Sequence, residues 1–265
     1  MFVNKIVVGN TSVSYLRFGD PDGHPMVIIP GVSIKSVVPL GLLIEAQFKL
    51  FADKHDIYLI DRRESVPDKL SIYDFAEDTI TVLDSLGIKN ADLYGVSQGG
   101  MIALTIACER PDLVRKIAVC STAAYTDENS QRVFDEWVRL SDERSVPELM
   151  RSFAFNVYSD DYCQKHETVF EQFGKTVTED ELERFSVMVR SFPGFDIRPV
   201  LGSLKSPVFV IAGEKDRIFR TALSKEIAEL TNGKMHIYSG EAHAVYDENA
   251  DVLKRVKQFF DSEDL

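Results

Sequence analysis

Cysteine, basic residues and long apolar runs are all in short supply in this chain, and each shortage removes a class of function. Three cysteines occur among 265 residues: Cys108, Cys120 and Cys163. The count is odd and no pair has CxxC spacing, so neither a disulfide framework nor a thiolate metal site is expected. Cys120 lies in an apolar run and reads as a small buried residue rather than a thiol catalyst. That cysteine usage fits a reducing, cytoplasmic setting. No apolar stretch reaches membrane-spanning length, and the N-terminal residues hold none long enough for a signal peptide. Against 42 Asp and Glu stand 30 Lys and Arg, a formal net charge of −12. Phosphate binding needs clustered basic side chains, so neither nucleic acid nor membrane is expected as a partner. The acidity is read as serving solubility. There are no internal repeats and no low-complexity tracts.

Short β-branched runs recur along the sequence. They are Lys5 to Val8, Val13 to Phe18, Met26 to Ile29, Ile57 to Ile60, Asp92 to Gly95, Lys116 to Cys120, Val208 to Ala212 and Met235 to Tyr238. Runs such as MVII and VFVIA are apolar almost throughout, which predicts strands buried on both faces, as in a parallel sheet. The first two alternate and predict an antiparallel edge hairpin. Helical patterns lie between the later strands, at Ser71 to Leu86, Gly99 to Glu109 and Asp251 to Phe260. Alternation of strand and helix predicts an α/β fold with a doubly wound sheet. From Thr126 to Phe192 the rhythm breaks. Apolar residues there recur at helical spacing, as in Val133, Trp137 and Leu140, and no strand is expected. Thr178 with Glu181 forms a capping box, and Pro147 suits a first helical turn. The reading is a helical cap, residues 126–192, inserted into a core of residues 1–125 and 193–265.

The sharpest local signal is Gly95-Val96-Ser97-Gln98-Gly99, followed by Gly100. It comes directly after one expected strand and directly before one expected helix. A nucleophile on so tight a turn needs small neighbours, and the helix N-terminus aims N–H groups at the reacting centre. A serine hydroxyl is a poor nucleophile without a base. Of the five histidines, His24 and His55 precede strands and read as surface loop residues. His166 falls on a polar helix of the insertion, and His236 inside a strand. His243 follows the last strand, at the edge where open α/β sheets place their sites. Asp216, after the strand VFVIA, is the expected orienting acid; Glu214, two residues earlier, is the competitor. The chain order serine, aspartate, histidine is one that such triads use. An oxyanion hole needs two backbone donors. The N–H of Gln98 is the first, and Val32, aimed by Gly31, is the second.

These residues together resemble the α/β-hydrolase superfamily. The resemblance runs almost end to end, from GDPDGHPMVIIPG through Asp61-Arg62-Arg63, GVSQGGMIA, RPDLVRKIAVCST and AGEKD to GEAH. It is nearest to the small cytosolic esterase and enol-lactonase group, whose members carry a helical cap. It implies a mostly parallel eight-stranded sheet, the triad already named, no cofactor and no metal. The chain departs from the family pattern at Pro30-Gly31, where His-Gly is usual, at Glu64, where Gly is usual, and at Ala250, where Pro is usual. A serine nucleophile sets it apart from the haloalkane dehalogenases and epoxide hydrolases of the same fold, which use a carboxylate.

The expected reaction is hydrolysis of a small-molecule carboxylic ester, lactone or thioester through an acyl-enzyme on Ser97. The same triad also serves amides, peptide N-termini and carbon–carbon bonds, and the fold is also used for ligand-binding receptors. The aromatic residues Trp137, Phe153, Phe155, Tyr158 and Phe192 are the candidates for the substrate pocket. Monomer and homodimer are equally open.

Overall fold

The computed structural model describes residues 3–263. Eight strands form one sheet: β1 (Val3–Val8), β2 (Thr11–Gly19), β3 (His24–Ile29), β4 (His55–Arg63), β5 (Ala91–Val96), β6 (Val114–Cys120), β7 (Val208–Gly213) and β8 (Lys234–Tyr238). Their spatial order is β1-β2-β4-β3-β5-β6-β7-β8. The pairs β1–β2 and β2–β4 are antiparallel, and every other pair is parallel. Each of the eight expected strand runs falls within one of these strands.

The helices are α1 (Gly41–Gln47), α2 (Ile72–Leu86), α3 (Gln98–Glu109), α4 (Glu128–Asp142), α5 (Val146–Val157), α6 (Asp160–Gly174), α7 (Glu179–Val189), α8 (Arg198–Leu201), α9 (Thr221–Thr231), α10 (Val245–Glu248) and α11 (Asp251–Asp261). Side chains alternate across a strand, so each central strand feeds two cores. Val27, Ile29, Leu93, Ile117 and Val119 face one core, which includes α2, α3 and α9 and continues into the segment between β6 and β7. Met26, Ile28, Tyr94, Val96 and Ala118 face the other, closed by α11. In α11 the apolar residues Val252, Leu253, Val256, Phe259 and Phe260 recur at helical spacing and are all buried, so a single stripe seals that face.

Helices α4 to α7 and the short α8 lie between β6 and β7. The chain leaves and rejoins the sheet at one paired point. Tyr125 and Asp196 form an isolated antiparallel bridge, and the Ile197 N–H donates to Ala124 O at 2.9 Å. Trp137 is the centre of this helical segment, with Phe153 at 5.0 Å and Phe134 and Phe185 each at 6.0 Å between ring centroids. Asp127 caps α4, Ser159 caps α6 and Thr178 caps α7, each accepting from a backbone N–H of the first turn.

Two histidines sit elsewhere than expected. His24 begins β3 and is half-buried; His55 begins β4 and is buried. Their Nε2 atoms lie 3.7 and 3.6 Å from Asp92, a fully buried carboxylate on β5 that also holds Arg115. The donor to Asp92 is Arg115, whose Nε reaches Asp92 Oδ1 at 2.8 Å and His24 Nε2 at 3.1 Å, and the two imidazole rings pack beside that buried ion pair.

Candidate active site

Ser97 links β5 directly to α3 and has φ +52°, ψ −120°. A positive φ is costly for a residue with a β-carbon, and such strain persists only where the surroundings enforce it. They do so by close packing. A β-carbon on Gly99 would stand 2.0 Å from Ile29 O, and one on Gly95 would stand 2.5 Å from Gly99 O. One on Gly100 would meet the Thr122 side chain at 2.7 Å. The three glycines let β5, α3 and the neighbouring strands approach closely, and the Ser97 backbone is then held by its N–H to Cys120 O at 2.9 Å and by Thr122 Oγ1 to Ser97 O at 2.7 Å.

The same sheet edge carries the other two groups. Because β5 to β8 run parallel, the loops after β5, β7 and β8 emerge on one side. His243 Nδ1 lies 2.8 Å from Asp216 Oδ2, and both side chains are buried. Asp216 Oδ1 accepts the N–H groups of Ile218 at 2.8 Å and Phe219 at 2.9 Å. Both carboxylate oxygens are therefore engaged, which fixes the carboxylate and with it the imidazole. Glu214 is exposed and turns to Ser239 Oγ and Gly240 N instead. Asp216, not Glu214, is the acid bonded to His243.

The loop Pro30-Gly31-Val32 passes beside Ser97. A β-carbon on Gly31 would lie 3.2 Å from Ser97 Cβ. One residue ties this loop to the turn, and sequence reasoning gave it no role. Arg62, at the end of β4, is buried; its Nη2 donates to Pro30 O at 2.6 Å and its Nε to Gln98 Oε1 at 3.0 Å. Burial pulls its guanidinium down to about 10, partly offset by Asp61. Gln98 in turn donates from Nε2 to Met188 O and Ser191 Oγ, both at 3.1 Å, in and just after α7. So the two backbone segments expected to carry oxyanion donors share one hydrogen-bonded clamp, which also reaches the C-terminal end of α7. Glu64, the departure that follows Arg63, joins the sheet's antiparallel side. It accepts from Ser12 Oγ, Ser14 Oγ and Lys5 Nζ, which hold its carboxyl at about 2.

The insertion is tied to the other two loops as well. The Ala244 N–H donates to Val157 O at 2.7 Å, Glu248 accepts from Ser159 N and Oγ, and Arg217 reaches the Phe155 carbonyl and Asp160.

Beneath the insertion lies a cavity of about 420 Å³. Gly31, Val32 and Val96 line one end of it, Gly31 lying against Ser97, while Ser97, Asp216 and His243 themselves do not line it; Ile28, Leu59 and Tyr94 line it further along. Of the five aromatic candidates, Phe153 and Tyr158 line it. The other three do not. Trp137 and Phe192 are buried inside the insertion, Phe192 stacked on Phe134 at 4.1 Å. Phe155 stands 56% exposed with the Arg217 guanidinium over its ring. Two residues along a helix turn a side chain by about 200°, so Phe153 and Phe155 of α5 cannot face the same way. The lining that sequence reasoning missed comes from α1 and its flanks and from α6, including Phe48, Tyr162, Phe170 and Phe173. The alternation of apolar residues with charges in α6 was readable as a polar helix, but not which stripe covers a cleft. Among the described residues no cluster of potential metal ligands occurs, and no helix is long and apolar enough to cross a membrane.

Comparison with known proteins bears on the fold and the family. The chain is 23% identical over 233 residues to 3-oxoadipate enol-lactonase 2 of Acinetobacter baylyi, covering 86% of this chain and 85% of that one. It is 24% identical over 275 residues to the uncharacterized hydrolase YugF of Bacillus subtilis, covering 95% and 94%. Among solved structures, MGS-M2, an alpha/beta hydrolase enzyme from a Medee basin deep-sea metagenome library, superposes with a TM-score of 0.89 at 20% identity, covering 99% of this chain and 98% of that one. The family model for the alpha/beta hydrolase fold matches residues 25–250, and the chain belongs to that family.

Proposed function

We propose that the protein is a serine hydrolase that cleaves a small carboxylic ester, lactone or thioester through an acyl-enzyme on Ser97. The observation that carries this reading is the strained turn at Ser97, set on the same sheet edge as the buried His243–Asp216 pair. In the proposed cycle Ser97 Oγ attacks the carbonyl carbon while His243 Nε2 takes its proton. The developing oxyanion is held by the N–H groups of Val32 and Gln98. His243 then returns the proton to the leaving group, and water, activated by the same imidazole, releases the acid. Asp216 keeps the proton of His243 on Nδ1, which leaves Nε2 free as the base. The likeness to an enol-lactonase supports an oxygen ester or lactone as substrate. The segment of residues 126–192 serves in this reading as the cap over the cleft.

The test is a panel of esters, lactones, thioesters and amides assayed with the purified protein and with Ser97→Ala. Turnover of at least one oxygen ester or lactone is expected, falling by roughly 10⁴-fold or more in the variant. Turnover that survives in Ser97→Ala would remove the serine from the mechanism.

A further inference from the structure

The cleft is apolar along most of its length, yet it contains a carboxylate without a cation. Asp247, on α10, lines the cavity and is exposed to it. Among the described residues it has no basic partner; Gln47 supports it, and its neighbour Glu248 adds like charge. Desolvation lifts its carboxyl to about 6. Two basic side chains border the same cavity: the Lys35 ammonium is spent on Thr176 O at 2.5 Å and on Glu181 at 3.3 Å, and His166 stacks on Tyr162 with its Nδ1 2.9 Å from Tyr162 O. A second observation points to the same place. Tyr94, 2% exposed, also lines the cavity, and its hydroxyl is buried with no nitrogen or oxygen partner among the described residues. The polar side chain beside it, Cys120, is a weak sulfur acceptor. A buried hydroxyl and an exposed carboxylate, each without a strong partner in an apolar cleft, form an arrangement that a ligand completes. The rings of Phe48, Phe153, Tyr158 and Phe170 border the same space and favour a cation over a neutral group.

We propose that this cleft selects substrates whose apolar arm ends in a protonated primary amine, received by the Asp247 carboxylate with the Tyr94 hydroxyl as a second acceptor. An ammonium offers three donors, which matches a carboxylate and a hydroxyl better than an alkyl terminus or a second carboxylate does. The proposal depends on the reading of Ser97 for its reaction but not for its binding, and the experiment separates the two.

Hexylammonium and hexan-1-ol are titrated into the full chain by calorimetry at pH 8, and into Asp247→Asn and Asp247→Glu. The intact protein should bind the amine at least about tenfold more tightly than the alcohol. That preference should shrink to about twofold or less in Asp247→Asn and persist in Asp247→Glu. Each ratio is taken within one variant, so a general loss of stability does not imitate the effect. Equal binding of amine and alcohol by the intact protein, or a preference that survives Asp247→Asn, would overturn the proposal. Hydrolysis is then compared for phenyl 6-aminohexanoate against phenyl hexanoate, and for 6-aminohexyl acetate against hexyl acetate. One of the two pairs should favour the amine in kcat/KM by about tenfold, and that ratio should fall in Asp247→Asn. Ratios at or below one in both pairs would also overturn it. An amine preference in binding without turnover of any ester would leave the amine site standing and remove the hydrolase reading instead.

Discussion

At the scale of single residues the site is a set of charges and strains that only the surrounding structure makes tolerable. Asp247 is the clearest case. Its carboxyl rises from the ordinary 3.8 to about 6 through desolvation, with Gln47 opposing and Glu248 reinforcing the shift. The groups acting around it are the hydroxyls of Tyr94, Tyr158, Tyr162 and Tyr246 and the thiol of Cys120, none of which carries positive charge. A folded-state pKa above the unfolded value means that protonation favours the folded protein. The associated stability is therefore complete below about pH 4 and is lost as pH rises through 6. Asp247→Asn should thus stabilise the protein at pH 8 and give no gain below pH 4. A shift of this size corresponds to about 3 kcal/mol in full burial. Solvent access through the cleft reduces that to about 1 kcal/mol. Thermal melts should show a rise of about 2–4 °C at pH 8 only. A gain that is equal at both pH values would mean that Asp247 is not a strained carboxylate.

At the scale of elements, two kinds of information were unequally legible. The strands were readable because their residues are apolar on both faces and bounded by turn residues, and all eight runs fall in strands. The turn at Ser97 was readable because glycine occupies the positions where a β-carbon would strike backbone or side-chain atoms within 3 Å. The cavity lining was not. Aromatic content alone does not distinguish Trp137 and Phe192, which fill the interior of the helical segment, from Phe153 and Tyr158, which face the cleft. Arg62 was also hidden, because an arginine in a strand gives no sign that it joins Pro30 to Gln98. Helix α6 shows the consequence of such long-range ties. None of its residues is buried, so its stability rests on its cap and its neighbours. Glu248 reaches from α10 to the Ser159 backbone and hydroxyl at its first turn. Glu248→Ala should loosen α6 by about 1–2 kcal/mol. Hydrogen exchange should therefore speed up across Asp160–Gly174 about ten-fold while β5 and β6 keep their protection. Uniform acceleration through the sheet would instead assign Glu248 to global stability.

At the scale of the whole molecule, a parallel sheet makes one edge chemically distinct, and three loops that are far apart in sequence meet there. The helical segment is hydrogen-bonded to all three: to Gln98 beside Ser97, to Arg217 beside Asp216, and to Ala244 and Glu248 after His243. Reading the sequence pointed to this edge because Ser97, Asp216 and His243 each directly follow or lie in a loop after an expected strand. It could not find the ties between edge and insertion, because a side chain bonding to a carbonyl some 90 positions away leaves no local pattern. The central claim is that Ser97 is the nucleophile, and covalent trapping tests it most directly. The protein is treated with an alkyl fluorophosphonate, digested and mapped by mass spectrometry. The account predicts a single stoichiometric adduct on the peptide holding Ser97, absent from Ser97→Ala and slowed by several orders of magnitude in His243→Ala. An adduct on another residue, or labelling of Ser97→Ala at the rate of the intact protein, would contradict it.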